Sequence, residues 1–215
     1  MSDQHSLLRQ RYALMASGVI KALASRGFES FFCATAAEAA AKAVELIPAA
    51  HTVSWGGSVT LDQTGIKELL REQGFELIDR DTAPTPEARR QSMRQALLCG
   101  TYLSSVNAMT EDGIMVNIDG NCNRIAAIAY GPEQVILIVG MNKICRDLHA
   151  ARQRAQTFAA PANGLRFDLE LPCLKTGICH DCRSPQRMCA QIVEMHSCRI
   201  AGRIKVILVG EDLGL

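Results

Sequence analysis

No apolar run in this 215-residue chain approaches the roughly 18 to 20 residues that a membrane-spanning helix needs. The longest, Val135-Ile136-Leu137-Ile138-Val139, has the length of a strand, which predicts a soluble protein with no membrane partner. An excess of either charge is missing too: 23 Lys+Arg stand against 22 Asp+Glu, a formal net charge of +1. Such a balance supplies no overall field for a polyanion, so nucleic acid and anionic lipid are set aside as defining partners, while a local basic patch stays open. The opening residues, Met1-Ser2-Asp3-Gln4-His5, carry neither the basic nor the apolar segment of a secretory leader. Nine cysteines, an odd number, do not pair into a complete disulfide framework. Together these features predict reduced thiols and a cytoplasmic location. Internal repeats and low-complexity segments are absent as well. Also missing are the lysine of a P-loop and the third glycine of a dinucleotide fingerprint, and with them any sign of a resident flavin or nicotinamide.

What is present is enough apolar residue, 48% of the chain, to bury one sizeable core, so residues 1–215 are read as a single domain. Leu8, Tyr12, Met15, Val19, Ala22 and Leu23 recur at helical spacing within an N-terminal segment, residues 1–27, that Gly27 closes. Strand and helix signals then alternate. Phe28 to Phe32, Thr52 to Trp55 and Phe75 to Asp79 read as strands. A helix capped by Thr35 and Glu38 ends before Pro48, a second runs through Ile66, Leu69 and Leu70 to Gly74, and a third covers Glu87 to Leu98. The middle of the chain offers three short strand candidates, Tyr102 to Val106, Ile114 to Ile118 and Arg124 to Ala129, the last two joined by a hairpin-like cluster from Asp119 to Asn123. Val135 to Val139 is a strand of the fully buried type, and a helix with Leu148, Ala151, Ala155 and Phe158 on one face follows it. Lys205 to Val209 reads as a last core strand. The expected fold class is α/β, a three-layer open sheet with a small antiparallel insertion and a Cys-rich C-terminal segment.

Trp55-Gly56-Gly57-Ser58-Val59-Thr60 follows a strand and precedes a helix, a context in which backbone N–H groups and the hydroxyls of Ser58 and Thr60 can hold a phosphate or carboxylate. A tight turn of small residues accounts for the same string. Asn107, Thr110, Glu111, Asp112, Asp119, Asn121, Asn123 and Arg124 concentrate polar groups near two strand ends. Arg124 can grip an anion bidentately, although ordinary turn chemistry also uses such residues. Lys143 follows Gly140-Met141-Asn142 at the end of the buried strand, where open α/β sheets bind ligands, whereas Arg146, Arg152 and Arg154 read as a solvated face. The expected anion site therefore comprises Gly56, Gly57, Ser58, Thr60, Asn107, Asp112, Asp119, Asn123, Arg124 and Lys143.

Five of the nine cysteines fall within residues 173–198, and four read Cys173-x5-Cys179-x2-Cys182-x6-Cys189. Two thiolates separated by two residues can grip a metal from one turn, and Cys173 and Cys189 can complete four ligands after modest loop closure. The spacing approximates a known iron–sulfur arrangement more nearly than the paired knuckles of zinc; zinc and unmetallated or redox-active thiols remain alternatives. Ser184-Pro185 reads as the start of a helix with Met188, Ile192 and Met195 on its core face, which would put Cys182 just before that helix and Cys189 in its second turn. His180 and His196 are substitute ligands, Cys33, Cys99 and Cys145 read as small core residues, and Cys198 has no assigned part.

Several strings, taken in order, closely resemble the LUD family of lactate-utilisation proteins. They are Trp55 to Thr60, Ser105-Val106-Asn107-Ala108-Met109-Thr110-Glu111-Asp112-Gly113, Asn117-Ile118-Asp119-Gly120, Asn123-Arg124-Ile125-Ala126-Ala127, Val139-Gly140-Met141-Asn142-Lys143-Ile144 and Val209-Gly210-Glu211-Asp212-Leu213-Gly214. The resemblance implies a fold like that of the ribose-5-phosphate isomerase and CoA-transferase group, some of whose members hold phosphate in a glycine-serine-threonine loop. It also implies a role near bacterial oxidation of lactate or a similar organic acid, alongside other lactate-oxidation subunits, and it supplies no catalytic residue. One departure is Cys122, which stands where the family pattern expects glycine before Asn123-Arg124. Three functions follow: an enzyme or enzyme subunit binding an anionic small molecule, either an organic acid or a phosphorylated compound, beside a cysteine-held centre; a non-catalytic assembly or electron-relay protein; and an isomerase or transferase acting on a phosphorylated sugar or acyl-CoA, with Glu111, Asp112 or Asp119 as base.

Overall fold

The computed structural model describes residues 2–215, with side chains from Ser6 onward. In chain order the elements are α1 (Ser2–Ser25), β1 (Glu29–Cys33), α2 (Ala36–Glu45), β2 (Val53–Trp55), α3 (Val59–Thr64), α4 (Ile66–Glu72), β3 (Leu77–Ile78), α5 (Pro86–Gln95), β4 (Thr101–Ser104), β5 (Ala108–Thr110), β6 (Met115–Asp119), α6 (Asn123–Ala129), β7 (Gln134–Gly140), β8 (Ile144–Cys145), α7 (Leu148–Gln153), α8 (Ala160–Gly164), α9 (Pro172–Thr176), β9 (Gln191–Met195) and β10 (Ile204–Val209).

A six-stranded sheet in the order β1-β10-β7-β4-β2-β3 is parallel throughout. Alternation along β7 and β10 divides the core into two layers, because successive side chains leave a strand on opposite faces. Val135, Leu137, Val139, Val206 and Leu208 pack with Tyr12, Ala16, Val19 and Leu23 of α1 and with Ala127 and Ile128 of α6. Ile136, Ile138, Ile207 and Val209 pack with Ala39 and Ala43 of α2, Leu61 of α3 and Ile66 and Leu70 of α4. Covered on both faces, β7 can be apolar without interruption, and the three-layer expectation holds. A second, mixed sheet runs β8-β5-β6-β9, with β6 antiparallel to β5 and β9 and with β5 parallel to β8. Of the strands expected for a small antiparallel insertion it contains only Ile114 to Ile118, as β6, since Tyr102 to Val106 falls in the main sheet as β4; Ala108, Val116 and Ile118 pack against Ala151 of α7 and Ala155 beyond it.

Four local expectations are corrected. Arg124 to Ala129 lies in a helix, α6, whose Ala127 and Ile128 pack in the core shared with β7 and β10 while Asp119 Oδ2 accepts from Ile125 N at 3.1 Å. The cluster from Asp119 to Asn123 is therefore a strand-to-helix turn. No helix follows Ser184-Pro185: Ile192 and Met195 lie in β9, whose backbone pairs along β6 and covers an edge that would otherwise be open. The helix expected through Ile66 is two, because Gly65 at φ +69° ends α3 before α4 begins. Finally, the single helix after β7 contains one π turn at Arg154–Ala159. Pro161 has no N–H for the carbonyl of Thr157, the turn widens, and Phe158 leaves the core face at 57% exposure.

Candidate functional site

In a parallel sheet every strand ends on the same side, and loops leaving those ends share one crevice. Here the ends of β2, β3, β4 and β7 deliver Gly57 and Ser58, Arg80 and Asp81, Ser105, and Lys143, while the turn between β6 and α6 adds Asp119, Asn123 and Arg124. The cleft they border has a volume of about 760 Å³, within the range of small-molecule sites. Of the ten residues expected to form an anion site, eight line it: Gly57, Ser58, Thr60, Asn107, Asp119, Asn123, Arg124 and Lys143. Gly56 stands behind them, where a Cβ would come within 3.2 Å of the Arg124 side chain. Asp112 is elsewhere, on the β5–β6 hairpin, where the Thr110 hydroxyl and then Arg26 bond its carboxylate and hold its pKa low. Glu111 does not border the cleft either, so Asp119 alone remains of the three carboxylates considered as a base.

Seven basic side chains line the cleft, Lys67, Arg80, Arg89, Arg124, Lys143, Arg166 and Arg187, against the carboxylates Asp62, Asp81 and Asp119. The chain is nearly neutral overall, so this is a local concentration of positive charge. Two of the guanidiniums flank the glycine loop and are underbonded. Arg124 Nη2 donates to Asn107 Oδ1 at 3.0 Å and to the Ile118 carbonyl, but its buried Nε has no hydrogen-bond partner and lies 3.7 Å from Asp119 Oδ2. Arg80 Nε is likewise buried without a hydrogen-bond partner and lies 3.6 Å from Asp81 Oδ1, and Arg80 Nη2 sits 2.7 Å from the place a Cβ on Gly57 would take. Glycine at position 57 is thus what lets a guanidinium close on the loop. Buried N–H groups without acceptors are uncommon, and an incoming carboxylate or phosphate would supply them.

Lys143 is 3% exposed. Its Nζ donates to Thr60 Oγ1 at 2.9 Å, Ser105 Oγ at 3.0 Å and the Val106 carbonyl at 3.1 Å, and no carboxylate pairs with it among the described residues. Burial, with Arg154 and Arg124 nearby, lowers its pKa to about 7. The C-terminal residues close over it: a Cβ on Gly214 would meet Thr60 Oγ1 at 2.2 Å and Lys143 Nζ at 2.8 Å. Leu213 N donates to Asn142 Oδ1, and Arg154 Nη1 to the carbonyls of Asn107 and Leu215. Gly214 thus packs on Lys143, while Glu211 accepts from Arg9 and Ala36 N and Asp212 accepts from the Tyr12 hydroxyl.

Cys173, Cys179, Cys182 and Cys189 line a second, smaller cavity with Leu171, Pro161 and Met188. Burial and then Cys182, Cys179 and Cys189 raise the pKa of the Cys173 thiol. Even so, among the described residues no three His, Cys, Asp or Glu side chains are set to hold a metal ion. His180 bonds Thr176 and His196 lies by Glu194; neither lines the cavity. Ala160, Arg187 and Met188 line both cavities, so the cysteines sit behind one wall of the cleft and do not open into it. Arg187 spans that wall: its Nη2 donates to Cys189 Sγ at 3.4 Å. Cys33 and Cys99 are buried, Cys145 is half-buried, and Cys198 N bonds the Arg26 carbonyl.

Sequence reasoning passed over Arg80, Asp81, Ser105, Arg154 and Arg187. The first three are within reach of one rule, since Ser105 directly follows β4 and Arg80 and Asp81 come within three residues of the end of β3, on the ligand-binding side of the sheet. Arg154 opens the π turn and bonds the Asn107 and Leu215 carbonyls, and Arg187 lies in an irregular segment.

Three comparisons bear on this arrangement. A crystal structure of a DUF162 family protein from Deinococcus radiodurans is similar in fold, with a TM-score of 0.56 at 11% identity over 92% of this chain and 98% of that one. A search of curated proteins finds no match. The family model of the LUD domain matches residues 16–209, and the chain belongs to that family.

Proposed function

We propose that this LUD-domain protein binds a small organic acid in the cleft beyond the strand ends and acts in the oxidation of lactate or a related acid, together with partner subunits. The family is associated with lactate utilisation. The observation that carries the reading is the pair of underbonded guanidiniums, Arg80 and Arg124, against the Gly57 loop. A carboxylate answers both their charge and their free donors. The likeness of the loop to phosphate-holding loops of the ribose-5-phosphate isomerase and CoA-transferase group adds phosphorylated acids as competing ligands.

The cysteine cavity supports a second component, an iron–sulfur cluster held by Cys173, Cys179, Cys182 and Cys189, with zinc as the alternative. The donor set fits: four thiols face one cavity whose other walls are mainly apolar. When bound, a cluster supplies one-electron transfer. The protein's own part is to hold the thiols and to place Arg187 between them and the cleft.

The test is an anaerobic purification followed by melting curves with lactate, pyruvate and inorganic phosphate. About four irons per chain, lost in Cys182→Ser, and a rise in Tm with the organic acids support the reading. A metal-free protein whose melting no acid changes would refute it.

A further inference from the structure

Lys143 has a property that anion binding does not require. A lysine recruited only to hold a carboxylate is best left protonated and near the surface, where its charge is kept by water or by acidic neighbours. Lys143 is buried at the floor of the cleft, bonded to two hydroxyls and a carbonyl, with guanidiniums as its charged neighbours. Nothing there favours the ammonium through a negative charge, and Arg154 and Arg124 oppose it. The neighbours also suit the neutral amine. A hydroxyl can turn and donate, so Thr60 or Ser105 can serve the unshared pair while the two N–H groups keep their acceptors.

We propose that the Lys143 amine forms an imine with the carbonyl carbon of a 2-oxo acid whose carboxylate lies against Arg124 and Arg80. The inference rests on the organic-acid reading of the cleft and adds a covalent step to it. The unshared pair of Nζ attacks the carbonyl carbon, and the carbonyl π pair moves to oxygen, which takes up a proton. The resulting carbinolamine expels that oxygen as water, with the nitrogen pair closing the C=N bond. Amine and ketone thus give imine and water, with no change in oxidation state and no further reactant. The hydroxyls of Thr60 and Ser105, each about 3 Å from Nζ, are placed to relay the protons. The burial that lowers the lysine to about 7 leaves a large fraction of it unprotonated near neutrality, whereas a surface lysine is about a thousandth unprotonated.

The experiment is reductive trapping. The full chain is incubated with pyruvate and cyanoborohydride, digested, and mapped by mass spectrometry, with lactate as competitor and a calorimetric titration of pyruvate in parallel. The expected result is one pyruvyl adduct on Lys143, formed on the order of a hundredfold faster than on exposed Lys175, suppressed by lactate and absent in Lys143→Met and Lys143→Arg. Because the adduct is mapped on the unaltered chain, poor folding of either variant leaves the test intact. Pyruvate binding without an adduct on Lys143 overturns the imine and leaves the organic-acid reading standing. Labelling spread over surface lysines overturns it as well. Absence of both binding and labelling overturns the two together.

Discussion

The indole Nε1 of Trp55 donates to Asp81 Oδ2 at 3.0 Å, tying the end of β2 to the loop after β3 on one edge of the cleft. Lys67 Nζ reaches the same oxygen at 2.9 Å, and Arg89 approaches the other at 3.3 Å. Trp55 and Lys67 are buried, so their donors have no ready substitute in water. Lys67 Nζ also pairs with Asp62 Oδ1 at 2.7 Å, so the buried Trp55 indole is the donor that depends on Asp81.

Removal of that acceptor should therefore be felt in the fold. Asp81→Ala is expected to destabilise the protein by about 1 to 3 kcal/mol, the range for leaving a buried donor unsatisfied, read from urea midpoints. Burial alone would raise the Asp81 pKa, but the bonds from Trp55 and Lys67 bring it down to about 2. A carboxylate lowered on folding stabilises above its unfolded pKa near 3.8 and loses that contribution as pH falls toward 2. Acid unfolding of the wild type should thus steepen in this window, and Asp81→Ala should lack that component.

Lys143 predicts the opposite sign. Its folded pKa is about 7 against 10.5 for a free side chain, so between those values the unfolded chain binds the extra proton and stability rises with pH. The slope is at most about 1.4 kcal/mol per pH unit. Raised thiols such as Cys99 act in the other direction, but only above about pH 8.5, where unfolded thiols ionise. Denaturation midpoints from about pH 6.5 to 8.5 should climb in the wild type and stay flat in Lys143→Met; equal slopes would contradict the neutral amine.

Cys122 offers a clean backbone test. It takes φ 60° at the start of α6, the left-handed conformation that suits the glycine expected there, so the turn keeps its shape and carries the strain of a side chain. Cys122→Gly should raise stability by about 0.5 to 1 kcal/mol without changing ligand affinity. A loss of stability would mean that the thiol makes a contribution its surroundings do not reveal.

How much of this was legible in the sequence depended on whether the signal was local. The buried strands β7 and β10, the Thr35 cap and the Gly27 stop follow from short-range pattern, and the structure keeps all of them. The convergence of Gly57, Arg124 and Lys143 also followed, because parallel strands present their ends on one side. Arg124 to Ala129 reads as a strand because six apolar-rich residues fit either period, and packing of Ala127 and Ile128 in the core shared with β7 and β10 goes with the helix. Residues 184–195 misled for a different reason. Their helical spacing is real, but β6 needed an edge partner and backbone pairing prevailed. Asp112 was placed with the site because it is near Asp119 in sequence, whereas the hairpin carries it to Arg26.

The proposed organic-acid site depends on Arg124 and its neighbours. Calorimetric titration of wild type, Arg124→Lys and Arg124→Met with lactate, pyruvate and inorganic phosphate tests it most directly. Saturable one-to-one binding of at least one organic acid to the wild type is expected. Affinity should fall about tenfold in Arg124→Lys, where the charge stays but the bidentate fork is lost, and by about a hundredfold in Arg124→Met. Equal affinities in all three proteins, or no organic acid bound by folded wild type, would contradict it.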